Sequence, residues 1–583
     1  MQNSYDVLIL GAGHAGIEAA LAAARLGCKT LLLTMHLDAI GNMPCNPAIG
    51  GTSKGHLVRE IDALGGAMGL AADACTLQAR MLNLSKGAAV QSPRAQIDRR
   101  SYSERMKHTL ELQENLFLLQ AEAEDLKMAP NGWQITARTG SIYTAKAAVI
   151  ATGTYLDSQI HIGSHSHPSG PDNLPPAVGL AHSLRGLGLP LRRFKTGTPP
   201  RINARSVDFS QTEIQTGDAE AVCFSFLNEL SPPRQTLACY LTHTGLETKS
   251  VILSNLSSSA QFSGQIQGIG PRYCPSIEDK MYRFPDKESH SLFLEPCGSN
   301  TNELYLQGMS TSLPEKVQAA FICTIPGLQN AEILRYAYAI EYTCVDPLAM
   351  KPTMELIDYP GLFGAGQFCG SSGYEEAAAQ GIIAGINAAR YVRGEGAFIL
   401  PRSSSYIGTL VDDLTNKGTD EPYRMMTSRS EYRLLLRHDT ADRRLTPLGH
   451  ELGLVSDERW NRFLEKQAQI ESAAKTEQCS LPSPYRHTME ADKQYAGYLR
   501  RGEQQRRDME RHETMTLTPD LEYRRIPSLR TEAIQKLERH RPSTVGAAAR
   551  ISGVNPADIT ALLVYLTSKA RQANIPDNSV NSR

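Results

Sequence analysis

The 583-residue chain has no apolar run that approaches about 18 residues, so no membrane-spanning helix is expected. A run typical of a core strand begins at Tyr5, which leaves no room for a signal peptide. The 11 cysteines are odd in number and have no C-x-x-C spacing, which argues against a disulfide framework or a zinc site. These absences predict a cytoplasmic protein with reduced thiols.

The chain also lacks an excess of charge of either sign. It has 60 Lys and Arg against 61 Asp and Glu, a formal net charge of −1. Bulk charge therefore gives no indication of a nucleic-acid partner, although a local basic patch would still allow RNA binding. The length exceeds what one core supports, so two or three domains are expected.

The most informative feature that is present is a glycine fingerprint near the N-terminus. Residues 5–10 form a short apolar run of strand type, and residues 17–26 form an alanine-rich run of helical type. Between them lie Gly11, Ala12, Gly13, His14, Ala15 and Gly16. In a G-x-G-x-x-G turn the first glycine allows the bend, the second lets the backbone approach a pyrophosphate, and the third lets helix and strand pack closely. The helix N-terminus adds N–H donors and a positive dipole end.

Three further segments complete a nucleotide-binding pattern. Residues 29–34 occupy the place of a second strand, and residues 147–154 read as a third strand ending in A-T-G, which includes Gly153. Residues 361–367 predict a strand running into a turn with Gly366 and Gln367, and residues 373–381 predict the helix that follows. A chain that begins a nucleotide site and completes it so much later is organised like a two-part FAD-binding fold.

One element of a typical dinucleotide site is missing. The second strand ends on Thr34 rather than on the acidic residue that usually bonds the ribose hydroxyls, and the nearest acid is Asp38. We therefore expect the ribose to be held differently.

The fold class predicted is α/β, with a two-part Rossmann-like (glutathione-reductase-like) FAD-binding domain, an inserted α/β domain and a helical C-terminal domain. The expected boundaries are 1–200 and 301–400 for the two parts of the FAD-binding domain, 201–300 for the insertion, and 401–583 for the helical domain. The insertion is indicated by polar residues alternating with apolar ones, and the last domain by an arginine-rich helical pattern.

Two cysteines have surroundings that suggest chemistry. Cys45 lies between two prolines in a loop after the second strand, where it could face a bound cofactor. Cys274 lies in a second loop with Arg272 and Lys280 nearby, and these cations favour a thiolate. A thiolate attacks electron-poor carbon, including carbon 6 of a uracil ring. The alternative, that either cysteine is an inert packing residue, stays open at this point.

Two cationic segments are candidates for binding anions. Residues 195–201 are interpreted as a polar loop that could meet phosphate or carboxylate, or be a solvated turn. Arg429, Arg433 and Arg437 recur every four residues, so a helix would place them on one face, where they could bind RNA phosphates. The alternative for this face is ion pairing with Glu431 and Asp439.

Taken together, these segments resemble one family. They are G-A-G-H-A-G at 11–16, C-N-P-A-I-G-G at 45–51, K-G-H-L at 54–57, D-A-L-G-G at 62–66, K-T-G-T-P-P-R at 195–201, G-P-R-Y-C-P-S-I-E-D-K at 270–280, S-T-S-L-P at 310–314, A-G-Q at 365–367, G-Y-E-E-A-A-A-Q-G at 373–381, T-S-R-S-E-Y-R-L-L-L-R-H-D at 427–439, R-P at 541–542, R-I-S-G-V at 550–554 and L-L-V-Y-L at 562–566. The family is the FAD-containing subunit, MnmG or GidA, of the bacterial enzyme that modifies the wobble uridine of tRNA.

The resemblance implies an activity and its partners. Members add a carboxymethylaminomethyl or aminomethyl group to carbon 5 of the uridine. The one-carbon unit comes from methylenetetrahydrofolate, glycine or ammonium supplies the amine, and NADH is the reductant. Members are homodimers that assemble with an MnmE-type GTPase into a heterotetramer, with the GTPase on the helical C-terminal domain. No membrane partner is implied.

The resemblance also implies residue roles. Cys274 would attack carbon 6 of the uracil, and Cys45 would remove the carbon 5 proton or assist transfer. The cofactor-binding residues would be Gly11, Ala12, Gly13, His14, Ala15, Gly16, Gly153, Gly366 and Gln367. The loop facing NADH or substrate would contribute Gly270, Pro271, Arg272, Tyr273, Asp279 and Lys280. Arg429, Arg433 and Arg437 would position the tRNA anticodon stem.

The sequence departs from the family pattern at Cys369, where a polar or small residue is expected, and over residues 342–347, which are less aromatic than expected. Three other functions would make different demands on the sequence. A folate- and FAD-dependent tRNA uridine methyltransferase would lack the long arginine-rich tail, and a disulfide reductase would need a redox cysteine pair. A flavin-containing RNA-binding protein without catalysis would not need the cysteine loops.

Overall fold

The computed structural model describes residues 3–220, 222–273, 275–476, 481–513, 515–551 and 553–573. The strands are β1 Ser4–Leu10, β2 Thr30–Thr34, β3 Ala48–Gly50, β4 Thr76–Leu82, β5 Ser92–Ile97, β6 Leu116–Gln120, β7 Ala123–Ala129, β8 Gly132–Ala137, β9 Ile142–Ile150, β10 Gln159–Ile162, β11 His165–Pro168, β12 Leu191–Thr198, β13 Arg201–Asn203, β14 Glu213–Gln215, β15 Cys239–His243, β16 Ser291–Pro296, β17 Glu303–Gln307, β18 Ile333–Arg335, β19 Tyr338–Val345 and β20 Leu362–Gly364.

The α-helices are α1 His14–Arg25, α2 Lys54–Ala63, α3 Met68–Ala74, α4 Arg99–Glu111, α5 Val178–Gly186, α6 Leu246–Ser254, α7 Ile277–Arg283, α8 Glu315–Ile322, α9 Tyr374–Val392, α10 Tyr406–Asp412, α11 Ala441–Leu452, α12 Asp457–Thr476, α13 Ser483–Glu513, α14 Thr531–His540, α15 Val545–Arg550 and α16 Pro556–Ala573. No helix in the described part of the chain combines the length and the apolar character that a membrane span requires.

The largest sheet joins the beginning of the chain to its later part. Its order is β6-β2-β1-β9-β8-β7, and β20 pairs with β9. Strand β1 is parallel to both β2 and β9, and β20 is parallel to β9. The four predicted strands of the nucleotide site are therefore confirmed, and the carboxyl ends of β1, β9 and β20 meet at one edge of the sheet. In parallel α/β sheets this edge is where ligands bind.

Helix α9 brings the second part of the fold onto helix α1 of the first. A Cβ atom at Gly381 would lie 2.1 Å from the Ala15 carbonyl oxygen, and one at Gly385 would lie 2.3 Å from the Ala19 carbonyl oxygen. The two helices thus approach backbone to backbone, which only residues without a side chain permit. The predicted helix over 373–381 is confirmed, and it extends to Val392.

Three smaller sheets cover the edge where the ligand would bind. Their orders are β11-β10-β19-β12, β14-β15-β16-β17-β13-β18 and β3-β5-β4. The six-stranded sheet draws strands from residues 201–335, so strand pairing continues past residue 300. The domain boundaries given above stay a prediction.

The predicted loop over 195–201 is wrong for its first half. Residues 195–198 belong to β12, where they pair with β19, and only the two prolines 199–200 lie between β12 and β13. Beyond residue 401 the predicted helical character is confirmed. Ion pairs fasten helices α11 and α12 to α2, with Arg444 2.9 Å from Glu60 and Arg459 2.7 Å from Asp62.

The helix contact predicts how stability responds to one methyl group. Gly381→Ala should lower the free energy of unfolding by about 1–3 kcal/mol, because its Cβ would overlap the Ala15 carbonyl. Gly186→Ala in α5 is the matched control, since a Cβ there meets nothing within 4 Å. It should leave stability unchanged or raise it slightly. Thermal and urea unfolding measure both, and equal stability of the two variants would contradict the backbone contact.

Candidate functional site

A cleft of about 470 Å³ lies at the carboxyl edge of the large sheet. It is bordered by the turns that follow β1, β9 and β20, by the loop before β3, and by residues of β12 and β17. The predicted site residues that line it are Gly11, Ala12, Gly13, His14, Ala15, Cys45, Gly153, Tyr273, Lys280, Gly366 and Gln367. Gly16, Gly270, Pro271, Arg272 and Asp279 are not among its lining residues. Cys274 lies outside the described residues, and both of its neighbours, Tyr273 and Pro275, line the cleft.

The glycines of the first turn differ in what surrounds them. A Cβ at Gly11, which has φ +104°, would lie 2.4 Å from the Ala151 carbonyl oxygen, and one at Gly16 would lie 1.8 Å from the Gly11 carbonyl oxygen. A Cβ at Gly13 would meet nothing within 4 Å. The first and third glycines are therefore required by packing, while the space at the second is open for a ligand beside the N-terminus of α1.

Three buried polar atoms around the cleft have no hydrogen-bond partner among the described residues. They are His14 Nε2, Asn46 Oδ1 and Thr152 Oγ1, and all three residues line the cleft. Buried polar atoms are normally hydrogen-bonded, so these three fit a polar ligand. The residues present thus suit a large dinucleotide, because they offer an open glycine turn, a helix N-terminus, and hydrogen-bond donors and acceptors without a protein partner.

His14 is neutral in this setting. Its ring stacks on Tyr374 with 4.7 Å between ring centroids, and burial, with Lys54 as a second cause, lowers the pKa of His14 to about 3. A neutral imidazole keeps one nitrogen as an acceptor or donor toward the cleft without adding charge to it.

Two acids at the start of α9 bind backbone and side-chain groups of other segments around the cleft. Glu375 accepts a hydrogen bond from the Gly50 N–H at 2.7 Å and pairs with Lys54 Nζ at 2.8 Å. Glu376 accepts from the Met425 N–H at 3.0 Å. Sequence reasoning gave neither acid a role beyond the family motif. A signal was available, since two acids in the first turn of a predicted helix suit its positive dipole end.

Cys45 is fixed from two sides in its loop. Its N–H donates to Tyr374 Oη at 2.9 Å, and its Sγ lies 3.1 Å from Tyr305 Oη. The side chain is half-buried and borders the cleft. The sequence placed this cysteine in a loop correctly, but Tyr305, 260 residues further along, was not recognisable as its neighbour.

Cys369 is a core residue. Its side chain has 0% exposure and does not line the cleft, and burial raises the pKa of its thiol well above the ordinary value. The departure from the family pattern at this position therefore brings no additional thiol into the cleft.

The cleft also has lining residues that the sequence did not reveal. Near the end of β2 they include Thr34, His36 and Glu122, and after β9 they include Tyr155. Glu122 is already paired with Arg138 at 3.0 Å. No acidic residue thus stands at the end of β2 itself. Glu122, from the connection between β6 and β7, borders the same region of the cleft.

The arginine segment corrects a prediction. Residues 427–429 and 438–440 are short 3₁₀ turns, and turns rather than an α-helix connect them. The Arg429 carbonyl, which a helix would present to residue 433, instead accepts from Arg402 at 3.0 Å. The three arginines therefore do not share a helical face.

Their exposures differ accordingly. Arg437 has 0% exposure and pairs with Asp439 at 2.9 Å and Asp492 at 2.6 Å, so it faces the interior and not a ligand. Arg429 is half-buried over the Tyr423 ring, with 4.2 Å to the ring centroid, and Arg433 is exposed. The alternative weighed from the sequence, ion pairing, applies to Arg437.

The described cysteines form no disulfide. Within the same ranges no group of three or more His, Cys, Asp and Glu side chains is placed to hold a metal ion.

Comparisons with known proteins cover nearly the whole chain. The family model described as "Glucose inhibited division protein A" matches residues 6–396, and the model described as "tRNA modifying enzyme MnmG/GidA C-terminal helical bundle" matches residues 505–583. A protein of Clostridium kluyveri named tRNA uridine 5-carboxymethylaminomethyl modification enzyme MnmG is 50% identical, over 97% of this chain and 98% of its own. A Clostridium botulinum protein of the same name is 48% identical, over 98% of this chain and 99% of its own.

Solved structures agree in fold. The form I crystal structure of Aquifex aeolicus GidA has a TM-score of 0.90 and 46% identity, over 97% of this chain and 100% of that chain. The form II structure has a TM-score of 0.89 and 44% identity, over 97% and 98%.

The neutral state of His14 predicts a pH dependence. Its pKa in the folded chain is about 3 against an ordinary value of 6.5, so the unfolded chain binds one more proton between these values. The contribution of His14 to the free energy of unfolding should then be fully present above pH 6.5. It should fall by about 1.4 kcal/mol per pH unit as the pH drops below that value. His14→Gln should remove that part of the slope in urea unfolding at pH 5–6. A slope in His14→Gln equal to that of the wild type would contradict the assignment.

Proposed function

Since the chain belongs to the family described as Glucose inhibited division protein A, we propose that it is an FAD-dependent tRNA modification enzyme. The modification proposed is a carboxymethylaminomethyl or aminomethyl group on carbon 5 of the wobble uridine. The observation that carries the proposal is the cleft itself, because both parts of the nucleotide site and Cys45 border one volume. The name of the Clostridium kluyveri relative supports the choice of reaction.

The residues of the cleft fit FAD. The pyrophosphate would lie on the open side of Gly13 at the N-terminus of α1, where N–H groups and the helix dipole favour anions. Bound FAD would supply the hydrogen-bond partners that the buried polar atoms of His14, Asn46 and Thr152 lack. FAD, when bound, would supply the redox chemistry of the one-carbon transfer.

The two cysteines would act on the uracil ring. The Cys274 thiolate forms a bond to carbon 6, and the displaced electron pair makes carbon 5 an enolate-like nucleophile. Carbon 5 then forms a bond to the one-carbon unit derived from methylenetetrahydrofolate, as the bond between that unit and its carrier breaks and its electron pair stays with the carrier. Loss of the carbon 5 proton, for which Cys45 is the candidate acceptor, expels the Cys274 sulfur and restores the ring double bond. Glycine or ammonium completes the substituent, and NADH supplies the reducing equivalents.

The proposed assembly follows the family resemblance. Two copies of the chain form a homodimer, and an MnmE-type GTPase binds the helical region after residue 401. The tRNA would approach the cleft along the segment that carries Arg429 and Arg433. This path is supported by Arg424, which lines the cleft and lies on the same segment.

The reaction is tested on tRNA from cells that lack this gene. Deletion should remove the aminomethyl-type substituent from the wobble uridine, as measured by nucleoside mass spectrometry. The wild-type gene should restore it, and Cys274→Ser or Cys45→Ser should not. Cys323→Ser is the matched control, because Cys323 is exposed and does not line the cleft.

The outcomes separate the alternatives. An unchanged wobble position together with a missing 5-methyl group elsewhere would favour a folate-dependent methyltransferase. Full restoration by both cysteine variants would favour a flavin-containing RNA-binding protein without catalysis. Failure of Cys323→Ser to restore the substituent would show that cysteine replacement acts through folding.

Arg433 and Arg437 should respond differently to removal. Arg433→Ala should weaken tRNA binding, lower its salt dependence by about one phosphate contact and leave unfolding unchanged, since Arg433 is exposed. Arg437→Ala should lower the free energy of unfolding by about 3 kcal/mol, because it leaves the buried Asp439 unpaired. Filter binding across a salt series and urea unfolding measure these effects, and identical behaviour of the two variants would contradict the placement.

A further inference from the structure

We propose that Tyr305 is a positioning residue for Cys45 and donates a hydrogen bond that stabilises its thiolate. The inference deepens the role that the proposed function gives to Cys45 and rests on it. It begins from the contact between the two side chains, in which Cys45 Sγ and Tyr305 Oη are 3.1 Å apart.

The donor in this contact is fixed by chemistry once the thiol ionises. A thiolate has no proton and accepts only, so the phenol O–H must be the donor. A phenol ionises near pH 10 and a thiol near about 8.5, so the cysteine ionises first and the tyrosine keeps its O–H bond. The proton lost from Cys45 goes to solvent. Hydrogen bonds to an ionised acceptor are roughly twice as strong as those between neutral groups, so the contact favours the thiolate.

Strand pairing holds Tyr305 in place. In the six-stranded sheet Tyr305 of β17 lies opposite Arg201 of β13, and side chains at paired positions share a face. Both residues are 1% exposed, and the Arg201 guanidinium carbon is 5.2 Å from the centre of the Tyr305 ring. The ring therefore cannot turn away from Cys45 without disturbing the sheet.

Arg201 also holds the other partner of the contact. Its guanidinium donates to the carbonyl of Pro44, the residue before Cys45. The Thr198 hydroxyl donates to the same carbonyl at 3.2 Å, and the Cys45 N–H donates to Tyr374 Oη at 2.9 Å. One buried arginine thus fixes the backbone that carries the sulfur and the ring that carries the hydroxyl.

The other titratable groups near Cys45 do not supply the same interaction. Burial raises the pKa of the Tyr338 phenol of β19 and of the Tyr374 phenol of α9, and the nearby Cys45 raises both a little further. The Tyr374 hydroxyl is engaged by the Cys45 backbone rather than by its sulfur.

The test measures the reactivity of the Cys45 sulfur in the full-length flavin-loaded protein. Iodoacetamide alkylation is followed across pH 6–10, and mass spectrometry of the Cys45 peptide separates this thiol from the other ten. In the wild-type protein the midpoint of the profile should lie below about 8.5, the value of an ordinary thiol. A midpoint at or above that value would overturn the proposal without any variant.

Tyr305→Phe removes the hydroxyl and keeps the ring. It should move the midpoint up by about one pH unit and so lower alkylation about tenfold at neutral pH, with recovery at high pH. Tyr338→Phe is the matched control, since it removes a phenol from the same cleft without removing the contact to Sγ, and its profile should follow the wild type. An unchanged profile in Tyr305→Phe would overturn the proposal, as would an equal change at every pH, which is what a merely structural role would produce.

Because this readout uses no tRNA, it is independent of the proposed reaction. If Tyr305→Phe shifts the profile but deletion of the gene leaves the wobble uridine unchanged, the Tyr305 contact is established and the proposed modification is refuted. Loss of modification in Cys45→Ser with an unshifted Tyr305→Phe profile would do the reverse.

Discussion

The close approach of helix α9 to helix α1 is the constraint on which the cleft depends. Gly381 and Gly385 let the two backbones touch, and that contact sets the position of everything attached to the start of α9. Glu375 and Glu376 then reach Gly50, Lys54 and Met425. If the helices stood apart by one methyl group, the acids would miss these partners, and the loop that carries Cys45 would lose the support of Tyr374.

The glycine turn and its surroundings were readable from the sequence because their signals are local. Short apolar runs indicate strands β1 and β20, glycines indicate the turns that follow them, and helical patterns indicate α1 and α9. What could not be read is which distant residues meet. Tyr305 reaches Cys45 only through the pairing of β17 with β13, and nothing near either residue in the sequence encodes that contact.

Two errors have the same physical origin. Residues 195–198 have the polar composition of a loop, yet β19 offers them a full partner strand, and backbone pairing outweighs side-chain composition. Arg429 to Arg437 have helical spacing, yet the buried Arg402 takes the Arg429 carbonyl, and Arg437 finds two carboxylates in the interior. In both segments tertiary partners override a local pattern.

The topology of the large sheet has a consequence for how the chain is made. Strand β1 leaves the ribosome first, but its neighbour β9 follows more than 130 residues later, and β20 closes on β9 only after residue 362. Until then an apolar parallel edge is unpaired, and contacts of such long range form slowly. The nascent chain therefore exposes an aggregation-prone strand edge until the second part of the nucleotide site has been made.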